Sequence, residues 1–291
     1  MVDGEMRSLA DATVSVVGLG LMGGSLAGAL RGRCRTVIGV DRDSRVLDAA
    51  LEQGFVDQAS MILEEAAAVA DIMILATPVR TILRLLGEIG PWLRAGTLVM
   101  DLGSTKAEIL TAMEELPAHV QPLGGHPMCG KEISGIGAAD VGLFRGRTFI
   151  LSPLSRTSTG ALRLGEELVR AVGAAPLIID GERQDYLVGT LSHLPYLLAC
   201  ALVGTADATT SSDPLAWQIV AGGFRDTSRV AGSDVTMMVD ILTTNREEVV
   251  QAARRCEAQL GRLIQLVEEG DEAQLRETLT YLRETRKEMF P

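Results

Sequence analysis

A chain of 291 residues has room for one large domain or two modest ones, and 47% hydrophobic against 22% charged residues describes a folded chain rather than a disordered one. With aromatic residues at only 3%, Leu, Ile, Val and Ala must build the interior. A formal net charge of -11 excludes the concentrated positive surface that nucleic acid or an anionic membrane requires, while a few local arginines still suffice to bind a small anion.

The amino-terminal MVDGEMRSLADA carries acids and lacks an apolar core, so no secretory signal is expected. No apolar run reaches the ~18 residues of a membrane span, and no membrane association is expected. Cys34, Cys129, Cys200 and Cys256 are scattered without a CxxC pair. That pattern predicts four reduced thiols in a cytoplasmic protein and no metal site.

In chain order, the first element is an apolar run, Val14 to Val17, which turns at glycines and continues with helical spacing through Leu26 and Leu30. Next come TVIGV ending at Asp41, a helical stretch around Glu64 to Ala70, DIMILATPV, another helix-like stretch and GTLVMDLGS. The alternation persists through VQPLGG, RTFILSP, a helix over Thr159 to Val172, and APLIID. Strands alternating with helices predict a parallel sheet covered on both faces. After Asp180 the strand runs stop, and helices are expected at Arg183 to Thr205, Leu215 to Val220, Asp234 to Leu242, Arg246 to Glu269 and Glu272 to Lys287. The fold class is therefore an α/β Rossmann-type dinucleotide-binding domain, residues 1–180, followed by an all-α domain, residues 181–291.

In Gly18-Leu19-Gly20-Leu21-Met22-Gly23 the first glycine permits a tight turn, the second lets backbone approach a pyrophosphate, and the third lets helix pack closely on strand. The helix amino terminus then offers free N–H groups to phosphate. Asp41, twenty-three residues past Gly18, stands where a carboxylate binds both ribose hydroxyls and repels a 2'-phosphate. NAD is thus expected over NADP, against the pull of the neighbouring Arg42. The loop Ala76-Thr77-Pro78-Val79 leaves the next strand where the cofactor's edge should pass, and also reads as an ordinary strand-to-helix turn.

His126, in GGHPMCGKE, follows Gly124 and Gly125 at the carboxyl end of a strand, where open α/β sheets bind ligands. Its imidazole suits a general base taking a hydroxyl proton as hydride leaves. Ser104, in DLGSTK at the same sheet edge, either orients His126 by a hydrogen bond or caps the helix that starts at Thr105. His193 lies within an apolar helix ahead of Pro195, which kinks a chain and can aim a polar side chain at a cleft; a satisfied core histidine is the plainer reading. His119 reads as solvated. Arg225 and Arg229, four apart in GGFRDTSRVAGSD, share a face if helical and suit a dianionic substrate; surface charge is the plainer reading.

Together, GLGLMGGS, DLGSTK, GGHPMCGKEISG, SHLPYLLACAL and GGFRDTSRVAGSD, in this order, closely resemble the prephenate and arogenate dehydrogenases of tyrosine biosynthesis from Thr13 to about Glu269. The resemblance implies NAD-dependent oxidative decarboxylation of prephenate to 4-hydroxyphenylpyruvate, or of arogenate to tyrosine. It implies His126 as acceptor for the ring hydroxyl, Ser104 as its orienting partner, His193 at the substrate, and Arg229, then Arg225, at a substrate carboxylate. A homodimer joined through the helical domain is implied as well.

The sequence departs from the family pattern in Thr236 to Asp240, which lacks a tryptophan found in some members. No appended regulatory domain is expected. A β-hydroxyacid dehydrogenase of the 3-hydroxyisobutyrate kind would need a lysine in the second domain, and none occurs between Lys131 and Lys287. The remaining alternative is a non-catalytic NAD-sensing protein. It has no need of a histidine, a serine and paired arginines in separate motifs.

Overall fold

A computed structural model of the chain describes residues 8–131, 133–213 and 215–289. Its first part is built on eight strands: β1 Thr13–Val17, β2 Thr36–Val40, β3 Gln58–Ser60, β4 Ile72–Leu75, β5 Leu98–Asp101, β6 Gln121–Pro127, β7 Thr148–Pro153 and β8 Ala175–Ile178. They form one sheet in the order β3-β2-β1-β4-β5-β6-β7-β8. Six helices connect them: α1 Leu21–Leu30, α2 Ser44–Glu52, α3 Leu63–Val69, α4 Val79–Ile89, α5 Ala107–Glu114 and α6 Thr159–Ala171.

The central strands β1, β4 and β5 are buried along their whole length, which is why they read as continuous apolar runs rather than alternating ones. One core joins the sheet to α1 and α6 through Leu26, Leu30, Leu164 and Leu168. The other joins its opposite face to α3, α4 and α5 through Ala67, Ile82, Leu86 and Ile109. Each such fully buried Leu or Ile contributes about 1.5–3 kcal/mol of transfer free energy.

Two features of the sheet differ from the expectation, one in direction and one in strand number. Strand β7 runs antiparallel to β6, with His126 opposite Ile150. Among its described residues the segment between them holds only a one-turn 3-10 helix, Ile136–Ala138, and without a crossover helix the chain returns antiparallel. Strand β3 was not foreseen. It is three residues of Gln-Ala-Ser at the sheet edge, too short and polar to give a periodic signal.

Among the described residues the second part forms helices and no strand: α7 Gly181–Val188, a π-helical turn Gly189–His193, α8 Leu194–Thr210, α9 Gly222–Ser228, α10 Val235–Thr244, α11 Arg246–Glu269 and α12 Glu272–Met289. The expected helix over Leu215 to Val220 is only a 3-10 turn, Ala216–Gln218. Gly181–Thr210 is one continuous 30-residue helix, long and apolar enough by composition to cross a membrane, where the sequence showed no such run. Its charges, Glu182, Arg183 and Asp185 near the start and Asp207 near the end, leave an apolar stretch between them, from which Leu191 and Leu198 stand exposed. The same exposure recurs at Leu260, Ile264 and Val267 of α11.

The two parts are tied beside the sheet's carboxyl edge. Asp240 on α10 accepts the Arg80 backbone N–H at 3.1 Å, and the Arg80 guanidinium donates to the Thr243 hydroxyl at 3.0 Å. The hydroxyls of Thr105 and Thr244 meet at 2.8 Å.

Candidate active site

The glycine loop leaves β1 as a tight turn. Gly18 sits at φ +89°, a conformation side chains rarely adopt, and a Cβ there would lie 2.7 Å from the Thr77 methyl. At Gly23 a Cβ would fall 1.8 Å from the Gly18 carbonyl oxygen, so α1 can approach β1 this closely only as glycine. Gly20 differs, because a Cβ there meets nothing within 4 Å. That opening lies at the amino end of α1, where Gly20 provides no side-chain cap and Leu21 begins the helix, as a pyrophosphate site requires. Asp41 directly follows β2 and accepts the Leu19 N–H at 2.9 Å, bringing the carboxylate to the glycine loop; Arg42 beside it is exposed.

Opposite the loop, Thr77 and Pro78 open α4, and the buried Thr77 hydroxyl has no hydrogen-bond partner among the described residues. Gly20, Met22, Thr77, Pro78 and Ser104 line one cavity of about 290 Å3, closed on the far side by Met237 and Ile241 of α10. An open glycine, a bare helix amino terminus, an orphaned threonine hydroxyl and a carboxylate at the glycine loop fit a dinucleotide. Met237 belongs to the segment that lacks the tryptophan.

Beneath the cavity lies a fully buried ion pair, Asp101 with Lys106. Asp101 Oδ2 also accepts the Gly103 N–H at 2.7 Å, and Oδ1 accepts the Gly125 N–H at 3.0 Å. One carboxylate therefore holds the residue before Ser104 and the residue before His126. Burial pushes the Asp101 carboxyl up, against the pull of Lys106 and the two N–H donors. Lys106 and Ala107 donate their backbone N–H groups to Asp185 of α7 at 2.8 Å each. Asp185 thus caps α5 from the second part of the chain, which removes the capping role for Ser104.

His126 lies within β6, only 9% exposed. Burial first, then the charges of Lys106 and His193, pushes its imidazole down to about 3, so the ring is neutral at physiological pH. Its Nδ1 has no partner among the described residues, and no hydrogen bond joins it to Ser104. His193 closes the π-helical turn, 1% exposed, and burial pushes it down to about 4. Its Nδ1 meets the Asn245 side-chain nitrogen at 3.2 Å, and that nitrogen donates to the Asp185 carbonyl at 2.8 Å.

The structure thus gathers Gly20, Leu21, Met22, Thr77, Pro78 and Ser104 on one cavity and brings His126 and His193 within electrostatic reach of each other. Arg225 on α9 and Arg229, which opens the following 3-10 turn, are exposed and not part of that lining. Glu132 of the GKEISG stretch lies outside the described residues. Sequence reasoning missed Asp101, Lys106, Asp185 and Asn245 as supports. The signal available was the pairing of two opposite charges, Asp101 and Lys106, inside one short loop between a buried strand and a helix.

Comparison with known proteins finds two family profiles. Prephenate dehydrogenase, nucleotide-binding domain, matches residues 26–177, and prephenate dehydrogenase, dimerization domain, matches residues 180–281. A prephenate dehydrogenase of Lactococcus lactis is 36% identical over 239 residues, covering 80% of this chain and 65% of its own length. The chain thus spans just under two thirds of that relative. The crystal structure of the A. aeolicus prephenate dehydrogenase in complex with hydroxyphenyl propionate and NAD+ superposes with a TM-score of 0.90 at 31% identity, covering 97% of this chain and 100% of that one. That of Synechocystis arogenate dehydrogenase gives 0.83 at 30% identity, covering 95% and 99%.

Proposed function

Because the chain belongs to the prephenate dehydrogenase family, we propose that it catalyses the NAD-dependent oxidative decarboxylation of prephenate to 4-hydroxyphenylpyruvate, a step of tyrosine biosynthesis. The observation that carries this reading is His126, buried and neutral near the end of β6, where the Asp101 carboxylate that accepts the N–H of its neighbour Gly125 also accepts that of Gly103 in the cavity lining. The division of labour is residues 1–180 for the dinucleotide and 181–291 for substrate and dimerisation.

NAD, when bound, supplies the hydride acceptor. Gly18, Gly20, Leu21, Met22 and Gly23 cradle the pyrophosphate, Asp41 takes the ribose hydroxyls with Arg42 beside it, and Thr77 and Pro78 border the nicotinamide side. His126 accepts the ring-hydroxyl proton as hydride leaves the carbon bearing that hydroxyl, and Ser104 orients the exchange. The ring carboxylate departs as carbon dioxide, and its bonding electrons complete the aromatic ring. A neutral imidazole is the form this step needs, and burial beside Lys106 keeps it so. His193 binds the substrate, and Arg229, with Arg225, takes a carboxylate.

Two copies joined through the helical part would cover the apolar faces exposed at Leu191, Leu198, Leu260 and Ile264, in line with the dimerization-domain profile. Covering the 30-residue apolar helix in this way suits a cytoplasmic enzyme. Light scattering on the purified chain tests the dimer. The function is tested by initial rates of NADH and NADPH formation with prephenate and with arogenate. Turnover with arogenate alone would move the chain to arogenate dehydrogenase, and turnover of neither would favour a non-catalytic NAD-binding protein.

A further inference from the structure

The carboxamide of Asn245 bridges α7 and the π-helical turn. Its nitrogen lies 2.8 Å from the Asp185 carbonyl oxygen and 3.2 Å from His193 Nδ1. The first contact fixes which end of the amide is which: turned over, the amide would set its own oxygen against a carbonyl oxygen, two acceptors face to face. With the NH2 group so placed, one hydrogen goes to Asp185 and the other points at His193 Nδ1. That nitrogen must therefore accept.

Three further facts show that this placement is built in. Asn245 is buried and precedes α11, where an asparagine side chain ordinarily accepts from the helix's first N–H groups; here it makes no such cap. Asp185 cannot drift, because its carboxylate is anchored by the N–H groups of Lys106 and Ala107. Among the described residues no hydrogen bond uses His193 Nε2.

We infer that Asn245 is a positioning residue that locks His193 in the neutral Nε2–H tautomer, so that His193 meets the substrate as a hydrogen-bond donor and takes no proton from it. The inference rests on the proposed place of His193 at the substrate. It divides the labour of the two histidines: His126 accepts the hydroxyl proton, and His193 donates to an oxygen of the substrate's side chain or carboxylate. Two buried neutral imidazoles can then act side by side without competing for one proton.

The chain holds only three histidines, so labelling with 15N-histidine gives a spectrum in which each ring can be assigned by substitution. At neutral pH, long-range 1H–15N correlations should show His193 protonated at Nε2 and bare at Nδ1. Asn245→Ala should mix the two tautomers, and Asn245→Asp, which presents an acceptor instead, should move the proton to Nδ1. Both variants should raise KM for prephenate about tenfold, the loss of one oriented hydrogen bond, with kcat changed far less. A proton at Nδ1 in the unaltered protein, or Nε2–H persisting in both variants, overturns the inference. If the tautomer responds as stated while KM stays constant, the Asn245 clamp stands and the assignment of His193 to the substrate falls. Should Asn245→Ala fail to fold, the unaltered protein and Asn245→Asp decide the question.

Discussion

The Asp101–Lys106 pair makes an asymmetric prediction. Lys106→Met removes the ammonium and leaves a buried carboxylate that still accepts two N–H groups, at 2.7 Å from Gly103 and 3.0 Å from Gly125. Breaking a buried pair costs about 3–5 kcal/mol, and the surviving donors place this change at the low end, about 3 kcal/mol. Asp101→Leu strands the ammonium at that full cost and also orphans two buried N–H groups, at about 1–3 kcal/mol each. The second change therefore approaches the whole stability of an ordinary domain, about 5–15 kcal/mol.

Urea denaturation midpoints of both variants test this ordering. Charge neutralisation should also give Lys106→Met a pH signature. Burial already holds the Asp101 carboxyl above its ordinary value, and losing Lys106 raises it further. A folded-state value above the unfolded one gives stability that is complete at low pH and lost as pH rises through the folded value. Acidifying from pH 7 to 5 should thus narrow the variant's deficit. Activity should fall on the order of 10²-fold in the folded variant, because the carboxylate holds both the loop that carries Ser104 and the strand end that carries His126, and a shift of about 1 Å suffices for such a loss. Equal costs for the two substitutions, or a Lys106→Met deficit that widens on acidification, would refute the reasoning.

His126→Asn should retain prephenate binding and lose about 10²–10⁴-fold in kcat; near-normal kcat would remove it as the base. Gly23→Ala should abolish NAD binding, measured by calorimetry, since its Cβ would lie 1.8 Å from the Gly18 oxygen. Arg229→Ala should act through KM by about 2–5 kcal/mol, roughly 30-fold or more, with kcat little changed. On acidification, His126 and His193 stay neutral in the folded chain down to about 3 and about 4, while the unfolded chain binds protons from about pH 6.5 downward. Their contribution is therefore present above pH 6.5 and lost as pH falls, at about 1.4 kcal/mol per histidine per pH unit, and denaturation midpoints between pH 6.5 and 4.5 should fall accordingly.

What the sequence made legible follows from how local each constraint is. The glycine loop was readable because Gly18 and Gly23 answer backbone demands made within six residues, a positive φ at the first and the Gly18 carbonyl at the second, and the buried strands because their apolar runs have no solvent face to interrupt them. His126 stood out because glycines and a proline make poor packing for a core residue. The direction of β7 was hidden, since it depends on what the connecting segment lacks rather than on any residue in the strand. Ser104 looked like a cap because caps are local. The real cap of α5 is Asp185, some eighty residues away, and no spacing rule spans that distance. The same holds for Asn245, which reads as an ordinary residue before a helix until its amide is found on Asp185 and His193. The groups proposed to contact the dinucleotide sit in short motifs at strand ends, where sequence betrays them. The groups that hold those motifs in place come from whatever element packs behind, so the path from His126 through Asp101, Lys106, Asp185 and Asn245 to His193 appears only once the two parts of the chain are folded together.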